Sequence, residues 1–457
     1  MKVIVAGAGQ VGFNIARYLS AVGNDVTIID QRPDLVQKVG ESLDIQALVG
    51  FASHPSTLEA AGARDADLLI AVTYTDEINM VACQVAHSLF KVPTRIARIR
   101  QQDYLEQRFQ DLFRREAMPI DVVISPELEV AHAIVLRLDI PGALTAVPFA
   151  NDKVRLIGVS IDANTPIIDT PLRQLTYLFP DLHLVCVGIV RNGTYFVPDA
   201  DDQILIGDEV YFIVETAHLG RALPAFGREQ LQNDRVIIAG GGNIGLFLAS
   251  ELERANPNIS LKLIELNAQR AELVADKLRR TIVLKGDARD QALLKEASVE
   301  SAEAIVTVTN DDEVNIMAAL LAKRLGCRRS MALVNNSSYD DLVRTIGIDV
   351  AINPRDTTIS SILQHVRRGR IRSVHTIKDG AAEVFEAEAM ETSPVVGKPL
   401  REVRVPGLLV GAIVRGDTVI APRADTLIKA KDRVVVAARH DSIKRVEQLF
   451  AVRLDYF

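Results

Sequence analysis

The sequence states its own plan twice. KVIVAGAGQVG at 2–12 returns as RVIIAGGGNIG at 235–245, and VTIID at 26–30 returns as LKLIE at 261–265. AVTYTDEIN at 71–79 returns as TVTNDDEVN at 307–315, and DVVISP at 121–126 as DVAINP at 349–354. The ends of the halves also match, TPIIDTPLR at 165–173 against SPVVGKPLR at 393–401. A repeat of this length must build the same folding unit twice, so the order reads A-B-A′-B′.

Module A alternates short Val/Ile strands with helical patterns. In the first copy the strands read at about 2–6, 26–29, 45–49, 68–72, 95–99 and 121–124, spaced for βαβ units on a parallel sheet. Module B has short strands, turns and alternating apolar residues, and reads as a small α+β domain. The fold class expected is α/β, with two Rossmann-like doubly wound sheets each followed by a small α+β domain. The division expected is 1–125 and 232–354 for the nucleotide-binding domains, 126–142 and 355–370 for linker helices, and 143–227 and 371–457 for the small domains. Ala131, Ile134, Val135 and Leu138 form one apolar stripe on the first linker, and Ile359, Ile362, Leu363 and Val366 one on the second. The default expectation is that each helix packs on its own domain. A crossover helix shared with another subunit is the alternative.

Each A module carries a dinucleotide fingerprint. Gly7-x-Gly9-x-x-Gly12 follows a strand directly and opens a helix read at 14–19, and Asp30 ends the next strand about 20 residues on. Gly7 permits the tight turn, Gly9 lets a pyrophosphate approach, and Gly12 allows close helix–strand packing. The helix start, with Gln10 and Val11, receives phosphate through backbone N–H groups and the helix dipole. Asp30 accepts from ribose hydroxyls and repels a 2′-phosphate, so NAD is expected rather than NADP. The second copy repeats this with Gly240, Gly242, Asn243, Ile244, Gly245 and Glu265.

Other candidates fall at strand ends on the same sheet edge. Asp287, between Gly286 and Ala288, is placed to reach an adenine amino group, whereas the first copy has Phe51 there. Thr73 and Thr309 end the fourth strands. Asp76 and Asp312 begin the next helices, as N-caps or as ligand contacts. Arg98 and Arg100 end the fifth strand of the first copy, where the second has Leu333 and Asn335; they are candidates for a terminal phosphate or a surface ion pair.

Composition excludes several classes. A net charge of −7 argues against nucleic acid as the main partner, and the basic cluster of Arg367, Arg368 and Arg370 reads as a solvated helix end. Cys83, Cys186 and Cys327 lie far apart without a CxxC pair, so neither a disulfide framework nor a thiolate metal site is expected. The start runs straight into a strand and reads as lacking a signal peptide, and no apolar run approaches a membrane span. Module B shows no catalytic motif: His183 lies in an apolar strand-like run, and His218, His375 and His440 have no evident carboxylate or nucleophile partner in sequence. No catalytic residue and no metal site is expected. Two nucleotide domains, each with its own small domain, read as a ligand-sensing device.

The arrangement resembles the TrkA family, the cytoplasmic regulatory proteins of bacterial Trk potassium-uptake systems, built from two tandem RCK (regulator of potassium conductance) units. The resemblance spans the chain and is carried by VAGAGQVG at 5–12, ASHP at 52–55, Val72 and Thr73 with Asp76 and Glu77, AGGGNIG at 239–245, and GDA at 286–288. It implies binding of NAD(H) and of ATP or ADP, a homo-oligomer that is a tetramer, and docking on an integral membrane potassium-translocating subunit of the TrkH/TrkG type. It also implies a cytoplasmic location, peripheral on the inner face of the membrane. An NAD-dependent oxidoreductase and a regulator of a different cation efflux or antiport system are the alternatives. Single-unit relatives of the KtrA kind carry an Arg after the second glycine; Gln10 and Asn243 stand there, leaving Arg98 and Arg100 as the candidate phosphate sensors.

Overall fold

Four sheets follow one another along the chain. The computed structural model describes residues 1–451 except 115, 141–142, 179–181, 229–233, 337–338, 367–370, 379 and 404. The first sheet runs β1 (Lys2–Ala6), α1 (Gln10–Ala21), β2 (Asp25–Asp30), α2 (Pro33–Ser42), β3 (Gln46–Val49), α3 (Pro55–Ala60), β4 (Leu68–Ala71), α4 (Asp76–Phe90), β5 (Thr94–Arg98) and β6 (Val122–Ile124). Its strands are parallel in the order β3-β2-β1-β4-β5-β6, the doubly wound arrangement. β1 is central, and Val3, Ile4, Val5 and Ala6 are all buried because helices cover both faces. α1 starts at Gln10, a turn before the start read at 14, because the glycine loop itself supplies the first turn.

After the linker α5 (Pro126–Leu138) comes an antiparallel sheet: β7 (Ala143–Phe149), β8 (Val154–Ser160), α6 (Leu172–Leu178), β9 (Val185–Arg191), β10 (Thr194–Phe196), β11 (Glu209–Glu215) and the short α7 (Leu219–Ala222). The second parallel sheet holds β12 (Arg235–Ala239), α8 (Asn243–Ala255), β13 (Ser260–Glu265), α9 (Ala268–Lys277), β14 (Ile282–Lys285), α10 (Gln291–Glu296), β15 (Ala304–Thr307), α11 (Asp312–Arg324), β16 (Ser330–Leu333), α12 (Asp340–Thr345) and β17 (Val350–Ile352). Its order, β14-β13-β12-β15-β16-β17, copies the first. The linker α13 (Pro354–Val366) leads to β18 (Ile371–Ile377), β19 (Ala382–Glu388), β20 (Leu408–Arg415), β21 (Thr418–Ile420), β22 (Arg433–Arg439) and α14 (Ile443–Phe450). The two antiparallel sheets also share one order: β7-β8-β11-β9-β10 matches β18-β19-β22-β20-β21. Among the described residues no helix is long and apolar enough to cross a membrane.

The linkers depart from the default expectation. The chain forms two compact units, one of Met1–Pro126 with Arg355–Arg367, the other of Glu127–Pro354 with Arg368–Phe457. Each linker helix is therefore traded to the other half's nucleotide-binding sheet. In the larger unit Val130, Ala131, Ile134 and Leu138 of α5 share one buried cluster with Val236, Ile238, Leu263 and Ile352 of the second parallel sheet and Leu246 of α8. The Arg329 guanidinium donates to the Leu138 carbonyl at 3.2 Å. In α13, Ile359 and Ile362 are buried; the side chains of Leu363 and Val366, and the basic cluster at 367–370, lie outside the described residues. A duplicated chain holds both partners of such an exchange, so the apolar stripe does not require a second subunit.

The antiparallel sheets pack face to face inside the larger unit. Phe149, Leu156, Val187 and Ile213 share a cluster with Val384, Ala412, Val414 and Val435. A Cβ on Gly411 would stand 2.2 Å from the Ile213 side chain, which explains a glycine in the middle of β20. The buried Glu386 carboxylate closes the seam, accepting from the Ala150 N–H at 2.7 Å and the Arg433 guanidinium at 2.5 Å.

Candidate nucleotide sites

Both clefts open where the strand order reverses, beside the C-terminal ends of β1 and β12. The first measures about 500 Å3 and the second about 620 Å3, the size range of small-molecule sites. Gly9 caps α1 and Gly242 caps α8, so no capping side chain stands at the positive end of either helix. The three glycines of each loop have different duties. Gly7 has φ +111° and Gly240 φ +115°, and a Cβ on either would stand 2.9 Å from a backbone atom at the end of the neighbouring strand. A Cβ on Gly9 or Gly242 would meet nothing within 4 Å.

The acids ending β2 and β13 hold the glycine loops. Asp30 accepts from the Ala8 N–H at 2.7 Å and the Arg32 N–H at 2.9 Å. Glu265 accepts from Gly241 at 2.6 Å and Asn267 at 2.8 Å. Asp30 lines the first cleft with Gly7, Gly9, Gln10, Val11, Phe51, Thr73 and Arg98. Gly12 lies beneath this surface and Arg100 outside it. The Arg100 guanidinium sits 5.5 Å over the exposed Tyr74 ring instead. The second cleft gathers Gly240, Gly242, Glu265, Gly286, Asp287 and Thr309, but not Asn243, Ile244 or Gly245.

Neither Asp76 nor Asp312 caps its helix. Asp76 accepts from the N–H groups of Arg100 and Gln101 at 2.9 and 2.8 Å, and Asp312 from those of Asn335 and Asn336, both at 2.9 Å. They tie down the chain leaving the fifth strand of each sheet. The side-chain cap of α11 is Asp311, which accepts from the Val314 N–H.

The sequence reading passed over Asn79 and Asn315, visible only as the last letter of a repeated D-E-x-N. Asn79 is fully buried and accepts from the Thr73 N–H and hydroxyl at 2.8 and 2.7 Å, while its amide donates to the Arg98 carbonyl at 2.9 Å. Asn315 repeats these bonds with Thr309 and Leu333. Each asparagine locks the fourth strand end to the fifth across the mouth of its cleft.

Cations were also missed in the second cleft. The Arg270 guanidinium donates to the Gly241 carbonyl at 2.7 Å and to Asn243 at 3.3 Å, where the first cleft has the apolar Leu35. Arg289 pairs with Asp287 at 2.7 Å and holds that carboxyl below the usual carboxylate range. Asp287 thus faces a neighbouring guanidinium before any adenine. Phe51, stacked on His54 with centroids 5.1 Å apart, offers the first cleft a ring face instead. Cys83 and Cys186 are removed from thiolate chemistry, because burial pushes both thiols up to about 12.

Comparison with family models matches the TrkA-N domain at residues 3–126 and again at 236–354, and the TrkA-C domain at 384–451. The Trk system potassium uptake protein TrkA of Azorhizobium caulinodans is 50% identical over the whole of both chains. That of Vibrio alginolyticus is 42% identical over 98% of each. The chain belongs to the TrkA family. Among solved structures, the GsuK RCK domain aligns with TM-score 0.60 at 17% identity, over 99% of this chain and 95% of that one. The GsuK channel bound to NAD aligns with TM-score 0.61 at 18% identity, over 99% and 79%. These two likenesses concern the fold. The TrkA-C match falls on the second antiparallel sheet, whose strand order the first sheet shares.

Proposed function

We propose that this chain is the regulatory, non-catalytic subunit of a potassium-uptake system and that nucleotides bound in its two clefts set the activity of a membrane-embedded partner. The observation that carries the reading is the pair of glycine-loop clefts, each with an uncapped helix start and a carboxylate at the ribose position, in a chain whose relatives at 40–50% identity are named for potassium uptake. The proposed ligand of both sites is NAD(H), held through Gly7, Gly9, Gln10, Val11, Gly12 and Asp30 in the first and Gly240, Gly242, Asn243, Ile244, Gly245 and Glu265 in the second. Thr73 and Thr309 complete the walls. ATP or ADP is the proposed competitor at the first site, where Arg98 faces the cleft and can meet a terminal phosphate.

The proposed assembly is a homotetramer on the cytoplasmic face of the membrane, docked on a potassium-translocating subunit of the TrkH/TrkG type. The proposed domain limits are those of the sequence reading, with the linker helices serving the opposite half. A ligand shifts such an assembly only by its differential affinity for two states, typically ~1–3 kcal/mol of coupling. Potassium flux into liposomes holding the membrane subunit tests the reading. Adding this chain should make flux depend on NADH or ATP, and Gly9→Asp should abolish the part carried by the first site. Flux that responds identically with and without the chain overturns the regulatory assignment.

A further inference from the structure

The first antiparallel sheet brings together three side chains that are scattered in sequence. β9 and β11 are antiparallel, with Ile213 opposite Val185, and continuing that register sets Glu215 opposite His183. The 3-10 turn Thr216–His218 then carries His218 back over Glu215. His183 Nδ1 lies 2.9 Å from Glu215 Oε2, and His218 Nδ1 lies 3.6 Å from the same oxygen. One nitrogen or oxygen of each residue falls within 4.8 Å of the other two. The expectation that His218 has no carboxylate partner is therefore corrected, and His183 shares the same carboxylate. The pairing comes from strand register, which spacing in sequence does not display.

We propose that His183, Glu215 and His218 form a binding site for a single divalent transition metal of the zinc class. Two imidazole nitrogens and one carboxylate oxygen are a donor set for Zn2+, whereas Ca2+ and Mg2+ take oxygen ligands. Three protein ligands leave a fourth position open to water. Ligand bonds of about 2.0–2.1 Å in a tetrahedron put donor atoms about 3.4 Å apart. The separations of 2.9 and 3.6 Å bracket that value, so small side-chain rotations suffice. The side chains are 31%, 24% and 26% exposed, open enough for an ion to enter. His218 Nδ1 is itself buried and makes no hydrogen bond.

The second half provides an internal control. The equivalent strand pairing sets Leu409 opposite Ala437, which places Gly407, Arg439 and Ser442 where the first half has His183, Glu215 and His218. Gly407 has φ +75°, and His183 holds φ +47° at the matching position. This bend favours glycine, and the sister sheet uses one. The first sheet instead keeps an imidazole in a conformation that is strained for a non-glycine residue. A structural role for the bend does not call for that side chain; a ligand role does. A bound ion would clamp β9 and β11 to the turn that leads into α7.

The test is titration of the full chain, stripped with chelator, with Co2+ followed by competition with Zn2+. One Co2+ per chain with the intense visible bands of a four-coordinate site is expected, bleached by Zn2+. Glu215→Gln and His218→Ala should each weaken binding by more than the ~10–100-fold that loss of a supporting hydrogen-bond partner already costs a metal site. His183→Gly is the fold-preserving variant. It should lose the bands yet melt no lower than the metal-free parent and bind NADH unchanged. Absence of four-coordinate bands in the parent, or bands of undiminished affinity in His183→Gly, overturns the proposal.

Discussion

A Cβ placed on Gly12 would stand 1.8 Å from the carbonyl oxygen of Gly7, and the same approach recurs at 1.9 Å between Gly245 and Gly240. The third glycine of the fingerprint is thus demanded by the fold, with or without a ligand. The second is not: Gly9 and Gly242 face open space. Gly12→Ala is expected to cost about 1–3 kcal/mol of stability through overpacking against backbone that cannot yield. Gly9→Ala should leave the melting temperature nearly unchanged and weaken NADH binding by about tenfold or more, about 1.4 kcal/mol. Thermal melts paired with NADH titrations separate the two. Equal destabilisation by both changes would refute the division of labour.

Asp30 and Glu265 are the proposed determinants of the choice of dinucleotide. Each carboxylate already accepts two backbone N–H groups, which fixes it at the strand end where a ribose 2′-oxygen would come. A 2′-phosphate there meets like charge. NADH is expected to bind at least about tenfold more tightly than NADPH, a difference of about 1.4 kcal/mol. Asp30→Asn should narrow the gap at the first site. Calorimetry on Gly242→Asp protein isolates that site; tighter or equal NADPH binding contradicts the prediction.

Asn79 links the nucleotide cleft to the sheet beneath it. Replacing it with Ala leaves the Thr73 N–H and the Arg98 carbonyl without this partner in a half-buried setting, which costs at most about 1–3 kcal/mol for each group. Asn79→Ala should therefore lower the unfolding midpoint of the first nucleotide domain and weaken nucleotide binding there. Asn315→Ala should do the same in the second. Chemical denaturation of the single variants checks this, and a change below about 0.5 kcal/mol would show that water or rearranged side chains take over the bonds.

The sheet order and the glycine loops were legible because they rest on local periodicity and on a motif repeated in register. Asp76 shows where such reading stops. An acidic residue at a helix start has a local reading as a cap, yet its partners are the amides of Arg100 and Gln101, on the next strand's exit. Arg270 and Arg289 were missed for a related reason. Arg270 lies on α9 after the second strand and Arg289 in the loop after the third, and only the fold turns them into the cleft beside Glu265. Leu138 and Arg329 make the same point for the linkers. Nothing in a 3.6-residue stripe says which half's sheet will bury it, because the duplicated surfaces are alike.

The exchanged linker gives a prediction that crosses the two halves of the sequence. Ile134 lies in the first half but is buried with Val236, Ile238 and Leu263 of the second. Ile134→Ala is expected to cost about 2–5 kcal/mol, as for other buried Ile truncations. The loss should fall on the second nucleotide domain. Hydrogen exchange should show reduced protection in β12–β17 with β1–β6 unaffected, since sub-global openings follow packing rather than sequence order. Loss of protection confined to β1–β6 would mean that α5 packs on its own half.

Glu383 makes stability depend on pH in the less usual direction for a carboxylate. It is fully buried on β19, and desolvation, reinforced by the charge of Glu447 on α14, raises its pKa well above the ordinary glutamate value. The folded state therefore keeps a proton that the unfolded chain has released once pH exceeds the ordinary value of about 4.5. Unfolding then releases a proton, so this residue's contribution to stability is whole at low pH. It declines as pH rises from about 4.5 towards the raised folded value. Glu383→Gln fills the same volume with a group that stays neutral in both states. The difference in unfolding midpoint between the variant and the parent should grow in the variant's favour between pH 5 and pH 8, measured in urea at matched ionic strength. A difference that is flat across that range would mean that Glu383 is ionised in the folded protein, held by a counter-charge strong enough to offset its burial.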